Sequence, residues 1–175
     1  MGPGQGAVGA NLSDYVPSRI ETAERMLEVA GVGPDQVFLD IGSGDGRLVV
    51  LAARAGAEAV GIDRQELLVE RARDNTAMAG VADRARFVHA DALDVPSIVE
   101  RADVVAVFLT IAGLSVVGPY LAEVLRPGTV VVSNTFAVPG WRPESVTMVE
   151  VDRRWGRTPV YRYGVPEAFA GDAGD

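Results

Sequence analysis

Apolar positions fall into stripes at helical spacing and into short continuous runs, and the two kinds alternate along the chain. Ile20, Ala23, Leu27 and Ala30 lie on one helical face. Ser18 and Glu21 read as an S-x-x-E capping box opening that helix, and Gly31 with Pro34 closes it. Val37–Ile41 is a first strand-like run, carrying Asp40 and leading into glycines. Arg47–Arg54 follows as a helix with an apolar body, and 57–62 as a second strand that stops at Asp63. Positions 65–79 form the clearest helix, with Leu68, Ala72 and Ala79 in register and Glu66, Glu70, Arg73 and Asp74 on the partner face. A third strand is expected over 86–90, ending at Asp91.

The second half repeats the alternation. A fourth strand is expected over 104–109, a helix over 114–125 with Pro119 near its start or at a kink, and a fifth strand over 129–136. Two more strand-like runs, 145–151 and 159–163, have no helix between them and read as an antiparallel hairpin on the sheet edge. Strand–helix alternation of this kind predicts an α/β fold with a parallel sheet and helices on both faces. Residues 104–122 form an uncharged run of membrane-span length, but Gly113, Gly118 and Pro119 interrupt it, and a buried strand followed by a buried helix accounts for it better. The expected organisation is a Gly-rich flexible leader over 1–12, a single domain over 13–165 and a mobile acidic tail over 166–175.

Composition narrows the chemistry. The chain has 175 residues, 48% apolar and 23% charged, which fits one ordinary globular domain. It has no cysteine, so disulfides, zinc–thiolate centres and thiol catalysis are excluded, and no metal is expected. Sixteen basic against 24 acidic residues give a net charge of −8, which opposes a nucleic-acid footprint or an anionic membrane surface. The start of the chain lacks a basic n-region and an apolar h-region, so a cytoplasmic location is expected. All sixteen basic residues are arginine; the protein carries no lysine of its own to modify. Nothing in the sequence specifies an oligomeric state.

The most informative segment is VFLDIGSGDGRLVVLAA, where a strand runs into Gly42, Gly44 and Gly46 and a helix opens behind them. A dinucleotide fold wants G-x-G-x-x-G; the spacing here is G-x-G-x-G. Asp40 precedes the loop and Asp45 lies inside it. Both would repel a pyrophosphate and suit a ligand carrying an ammonium and a sulfonium. Asp63 ends the second strand, where a carboxylate can accept both hydroxyls of a ribose. Asp91 ends the third, where it can accept from an adenine amine. Three acids at successive strand ends converge on the crevice in which open α/β sheets bind ligands.

DIGSGDGR at 40–47, VGID at 60–63 and the Asp91–Ala92 pair resemble a class I S-adenosylmethionine-dependent methyltransferase. The resemblance implies a Rossmann-like, seven-stranded, mostly parallel sheet ending in the hairpin, and S-adenosylmethionine as cofactor. It implies that Asp40, Gly42, Ser43 and Gly44 surround the methionine part. Asp63, with Arg64 beside it, would hold the ribose; Asp91 and Ala92 would flank the adenine, with Phe108 or Leu109 as the floor. A narrower resemblance spans about 14–164. YVPSRIETAERML at 15–27, LRPGTVVVSNTF at 125–136 and GW at 140–141 are similar to small prokaryotic protein-lysine methyltransferases related to the mitochondrial enzymes that methylate the ATP-synthase c-subunit. It implies that Tyr15, Val16 and Pro17 fold over the cofactor. The chain departs from that group in two places, the apolar TIAGLSVVGPYL after the fourth strand and SNTF at the exit of the fifth. Both border the expected substrate mouth.

A lysine acceptor must lose its proton before it can attack, since its free pKa is about 10.4. Tyr15 is the candidate group near the methyl, while the lone His89 reads as structural or surface. Trp141, Trp155 and Tyr161 read as core or rim residues, and Arg153, Arg154 and Arg157 as a solvated turn. Four functions remain open: a protein-lysine methyltransferase, a small-molecule N- or O-methyltransferase, a non-catalytic cofactor-binding partner module, and a nicotinamide oxidoreductase, which the loop spacing and the acids oppose.

Overall fold

The computed structural model describes residues 18–152 and 156–169. The expectations placed on Tyr15, Val16, Pro17, Arg153, Arg154, Trp155 and the 1–12 leader lie outside them. In chain order the elements are α1 (Ile20–Ala30), β1 (Val37–Ile41), α2 (Arg47–Arg54), β2 (Glu58–Asp63), α3 (Glu66–Met78), β3 (Ala85–His89), α4 (Pro96–Val99), β4 (Val104–Val107), α5 (Ile111–Val124), β5 (Val130–Asn134), β6 (Ser145–Asp152) and β7 (Gly156–Gly164), with short 3₁₀ turns at Ala92–Asp94 and Glu167–Phe169.

The strands form one seven-stranded sheet in the order β3-β2-β1-β4-β5-β7-β6. β1 to β5 run parallel, β7 is antiparallel to β5, and β6 pairs with β7 as a hairpin. Successive strand residues face opposite sides, so each strand feeds two cores. Phe38, Val104 and Val132 pack with Met26, Val49 and Val69 under α1, α2 and α3. Leu39, Val105 and Val131 pack with Val99, Leu114 and Leu121 under α4 and α5. Phe38, Met26, Leu39 and Leu114 are fully enclosed; each such side chain stabilises the fold by about 1.5–3 kcal/mol. The chain leaves β1 toward β2 on one side and reaches β4 on the other, so the loops after β1 and β4 diverge and open a crevice between them.

Several local expectations are corrected. The Ser18–Glu21 capping box does not form: Arg19 is the N-cap of α1 and no side chain caps it. The carbonyl of Ser18 instead accepts from Arg47, 29 residues away. Gly31 does end α1, in the left-handed conformation at φ 72°, with the Val32 N–H returning to the Leu27 carbonyl at 3.0 Å. α5 starts earlier than expected, at Ile111, because the Thr110 hydroxyl accepts the Gly113 N–H at 3.2 Å and caps it, and the helix continues through Pro119. The four-residue α4 was not anticipated. Residues 104–122 do divide into a strand and a helix, and no helix among the described residues is long and apolar enough to cross a membrane. The expected tail begins within packed structure: Ala168 is buried, and the Phe169 ring meets Trp141 edge-on at 4.7 Å.

Candidate active site

β1 delivers Asp40 to the crevice, and the chain turns through Gly42, Ser43, Gly44, Asp45 and Gly46 before α2 begins. The three glycines take φ of 77°, 54° and 80°. At Gly46 the need is also steric, because a Cβ would lie 2.7 Å from the Phe87 ring and 2.9 Å from the Ala72 methyl. Four of the loop amides are occupied from within. Gly42 and Ser43 both donate to the Ile62 carbonyl at 2.9 and 3.0 Å, Gly44 donates to Asp63 Oδ2 at 2.9 Å, and Gly46 donates to the Ser43 carbonyl at 2.9 Å. A phosphate cradle needs such donors turned toward the ligand. This loop instead presents carboxylates.

Asp40 is buried, and its carboxylate makes no hydrogen bond among the described residues. Burial raises its pKa from 3.8 to about 7, and the like charges of Asp63 and Asp45 add to the rise. A bound cation is the partner that would let it ionise. Asp63 accepts the Gln65 N–H on Oδ1 at 2.8 Å and the Gly44 N–H on Oδ2 at 2.9 Å. Each oxygen keeps a second lone pair for a hydroxyl. Asp91 accepts the Leu93 N–H at 3.1 Å as the cap of the first 3₁₀ turn, and Arg64 Nε lies 3.5 Å from its other oxygen. The wall beyond is fixed from α5, where the Tyr120 hydroxyl donates to the Ala92 carbonyl at 2.9 Å.

Asp45 is gripped by Arg47 through Nη2 at 2.6 Å and Nε at 3.0 Å. The same guanidinium reaches the Ser18 carbonyl, and Asn75 Nδ2 donates to the Asp45 carbonyl at 2.9 Å. Loop, α1 entry and α3 are thereby tied together.

These groups line a cleft of about 270 Å³. Ten of the residues expected from sequence border it: Asp40, Gly42, Ser43, Gly44, Asp63, Arg64, Asp91, Ala92, Phe108 and Leu109. The sequence reading missed Ser18, Arg47, Gln65 and Leu68 as lining residues, whereas Thr110 and Val117 of TIAGLSVVGPYL and Thr135 and Phe136 of SNTF come from the two stretches it set at the substrate mouth. Arg47 stood in a motif singled out from sequence, as the last residue of DIGSGDGR. The lining is divided. Its acids come from the exits of β1, β2 and β3, whereas Phe108, Leu109 and Thr110 after β4, Val117 of α5, and Thr135 and Phe136 after β5 bring no charged side chain. His89 stands outside, exposed at the end of β3 with Nε2 3.1 Å from the Arg64 carbonyl. Trp141 packs edge-on against Tyr163 at 5.4 Å, away from the lining, and Tyr161 packs beside the same core.

Residues 40–145 match the family described as ANTKMT methyltransferase domain. A protein-lysine N-methyltransferase of Saccharolobus islandicus (strain REY15A) is 36% identical over 155 residues, covering 87% of this chain and 94% of that protein. Adenine nucleotide translocase lysine N-methyltransferase of Mus musculus is 31% identical over 142 residues, covering 81% of this chain. The alignment takes in 61% of that mouse protein, so the chain falls well short of its length. Among solved structures, an RNA methyltransferase from Salinibacter ruber in complex with S-adenosyl-L-homocysteine superposes with a TM-score of 0.80 at 38% identity, covering 91% of this chain and 100% of that one.

Proposed function

Because the chain belongs to the family of the ANTKMT methyltransferase domain, we propose that its cleft methylates a lysine side chain of another protein. The chain is an S-adenosylmethionine-dependent methyltransferase. The residues present fit that cofactor: a buried carboxylate at Asp40 with no hydrogen-bond partner among the described residues suits an ammonium, and the amides of Gly42, Ser43, Gly44 and Gly46 are already taken by the protein and not turned to a phosphate. Asp40, Gly42, Ser43 and Gly44 would surround the methionine part, Asp63 with Arg64 the ribose, and Asp91 and Ala92 the adenine over Phe108 and Leu109.

Held by these residues, S-adenosylmethionine would supply an electrophilic methyl to a deprotonated amine, the sulfonium sulfur keeping the electron pair of the broken C–S bond and the amine's proton going to water. The chain's own contribution is alignment and exclusion of water rather than covalent help. Phe108, Thr110, Thr135 and Phe136 surround the approach with uncharged groups, which favour the neutral, nucleophilic amine over its ammonium form. The observation that carries the reading is the division of the cleft, with carboxylates on the β1–β3 side for a cationic cofactor and an uncharged β4–β5 side for a neutral amine.

The test is transfer from methyl-labelled S-adenosylmethionine into three separate pools: a protein extract, an RNA extract and a protein-free metabolite extract. The protein has no lysine, so lysine automethylation contributes no background. Label recovered as methyl-lysine after hydrolysis of the protein pool supports the proposal. Label confined to RNA or to metabolites overturns it, and the net charge of −8 argues against the RNA outcome.

A further inference from the structure

Among the described residues, two other than glycine take a positive φ: Asp35 at 63° and Thr135 at 69°. Aspartate tolerates that region, but a β-branched residue there is an outlier. Asp35 sits in the connection between α1 and β1. Thr135 lines the cleft, directly after β5, and so does its neighbour Phe136.

The strained turn is strapped on every side. The Thr135 N–H donates to the Pro159 carbonyl at 2.9 Å. Its Oγ1 donates to Asn134 Oδ1 at 3.3 Å and lies 3.1 Å from Thr158 Oγ1. The Phe136 N–H donates to the Asn134 carbonyl at 2.8 Å, and the buried Ser133 hydroxyl donates to the Phe136 carbonyl at 2.6 Å. The result is a large aromatic ring held 37% exposed on the uncharged side of the cleft, outside both hydrophobic cores. Holding a residue against its backbone preference in order to expose a phenyl ring does nothing for the core. Such strain persists where a site needs fixed geometry.

We infer that Thr135 is a positioning residue for the methyl acceptor: its strained turn holds the Phe136 ring as an apolar wall along which the alkyl stem of an amine acceptor lies while its nitrogen reaches the transfer point. The inference rests on the reading of this cleft as the methyl-transfer site. Thr135 acts through Phe136 and touches no reacting atom.

The test compares Thr135→Gly, Thr135→Ser, Phe136→Ala and Thr135→Gly/Phe136→Ala with the parent protein, each verified as folded by its thermal midpoint. Affinity for S-adenosylmethionine is measured by calorimetry, and transfer by the label assay above. Thr135→Gly frees the backbone and is expected to lower the transfer rate by about tenfold, because small displacements of a positioned reactant cost that much. Cofactor affinity should stay within about twofold, a difference too small to mark a lost contact. Thr135→Ser keeps the hydroxyl and should recover most of the rate. The double variant should be no slower than Phe136→Ala, since two residues acting as one unit are not additive. Full activity in Thr135→Gly, losses that multiply in the double variant, or a loss that follows cofactor affinity would each overturn the inference. Failure of the lysine reading is seen separately, in the parent protein. If the parent labels metabolites or RNA, the same variants are scored on that label with the same outcomes; if a cofactor-bound parent labels no pool, both readings fall.

Discussion

The carboxylate of Asp63 accepts the backbone N–H of Gly44 at 2.9 Å, joining the end of β2 to the middle of the glycine loop. With its other oxygen it holds the Gln65 N–H at 2.8 Å, just ahead of α3. One side chain therefore sets the loop, opens the next helix and keeps lone pairs for the ribose hydroxyls it is proposed to hold. Asp63→Ala removes all three functions. It should cost about 2–3 kcal/mol of stability, since two charge-assisted bonds are lost and the buried Gly44 N–H is left unpaired, and cofactor binding should fall by more than about tenfold. Asp63→Asn retains one acceptor oxygen and should be intermediate in both. Denaturant melts and calorimetry measure the two effects; an Asp63→Ala protein that binds the cofactor at parental affinity would remove Asp63 from the site.

Asp40 predicts a pH dependence with a definite sign. Its folded pKa is about 7 against 3.8 when exposed, so between those values the folded state holds a proton that the unfolded state has released. Stability of the cofactor-free protein should therefore fall as pH rises through that window, by at most about 4 kcal/mol from this group. Asp40→Asn should flatten that slope. A cationic ligand favours the ionised form, so binding at pH 6 should release a proton, and affinity should climb up to about pH 7 and then level. Calorimetry in buffers of different ionisation enthalpy reads the proton directly. Proton uptake, or a pH-independent affinity, would show that Asp40 does not face the cation.

What could be read from the sequence divides along physical lines. Asp40, Asp63 and Asp91 were legible because each closes a short apolar run, a signal contained in a few neighbouring residues. The parallel sheet followed from the alternation of strands and helices, and the edge hairpin from two strand-like runs with no helix between them; the strand order β3-β2-β1-β4-β5-β7-β6 was not contained in that pattern. Ser18 was misread because a capping box is a local pattern, and here the decisive partner of that segment is Arg47, 29 residues on. The start of α5 shifted because Thr110 caps a helix whose first turn is as apolar as the strand before it. The left-handed Thr135 could not be foreseen, since threonine favours extended backbone and only the straps from Asn134, Thr158 and Pro159 impose the turn. The packing of Phe169 on Trp141 was equally hidden, because an Ala/Gly-rich acidic stretch gives no sign of a distant aromatic partner.

Gly46 offers a prediction about folding rather than binding. Its φ of 80° and the 2.7 Å approach of the Phe87 ring both exclude a side chain. Gly46→Ala should destabilise the protein by about 3 kcal/mol or more, from left-handed strain together with overpacking. Gly80, at φ 71° with nothing within 4 Å of a built Cβ, has the backbone component without the clash. Gly80→Ala should therefore cost only about 1–2 kcal/mol. Equal losses in the two melts would mean that Phe87 moves aside and that the close approach is not what requires glycine at 46.

The grip of Arg47 on Asp45 should matter for binding more than for catalysis. The guanidinium places two donors on one carboxylate, at 2.6 and 3.0 Å, and a third on the Ser18 carbonyl. Lysine keeps the charge but cannot make that fork. Arg47→Lys should therefore loosen both the loop and the entry to α1. The expected result is about a fivefold weaker affinity for S-adenosylmethionine, equivalent to the net worth of one hydrogen bond. The thermal midpoint should drop by about 2–4 °C, the shift that 1 kcal/mol produces in a chain of this size. The maximal transfer rate should change less than the affinity, because Arg47 holds the glycine loop proposed to bind the cofactor and stands apart from the β4–β5 side proposed for the acceptor. A lysine variant with parental affinity and midpoint would show that the fork contributes nothing beyond its charge. One that lost rate at saturating cofactor would place Arg47 nearer the acceptor than the geometry allows.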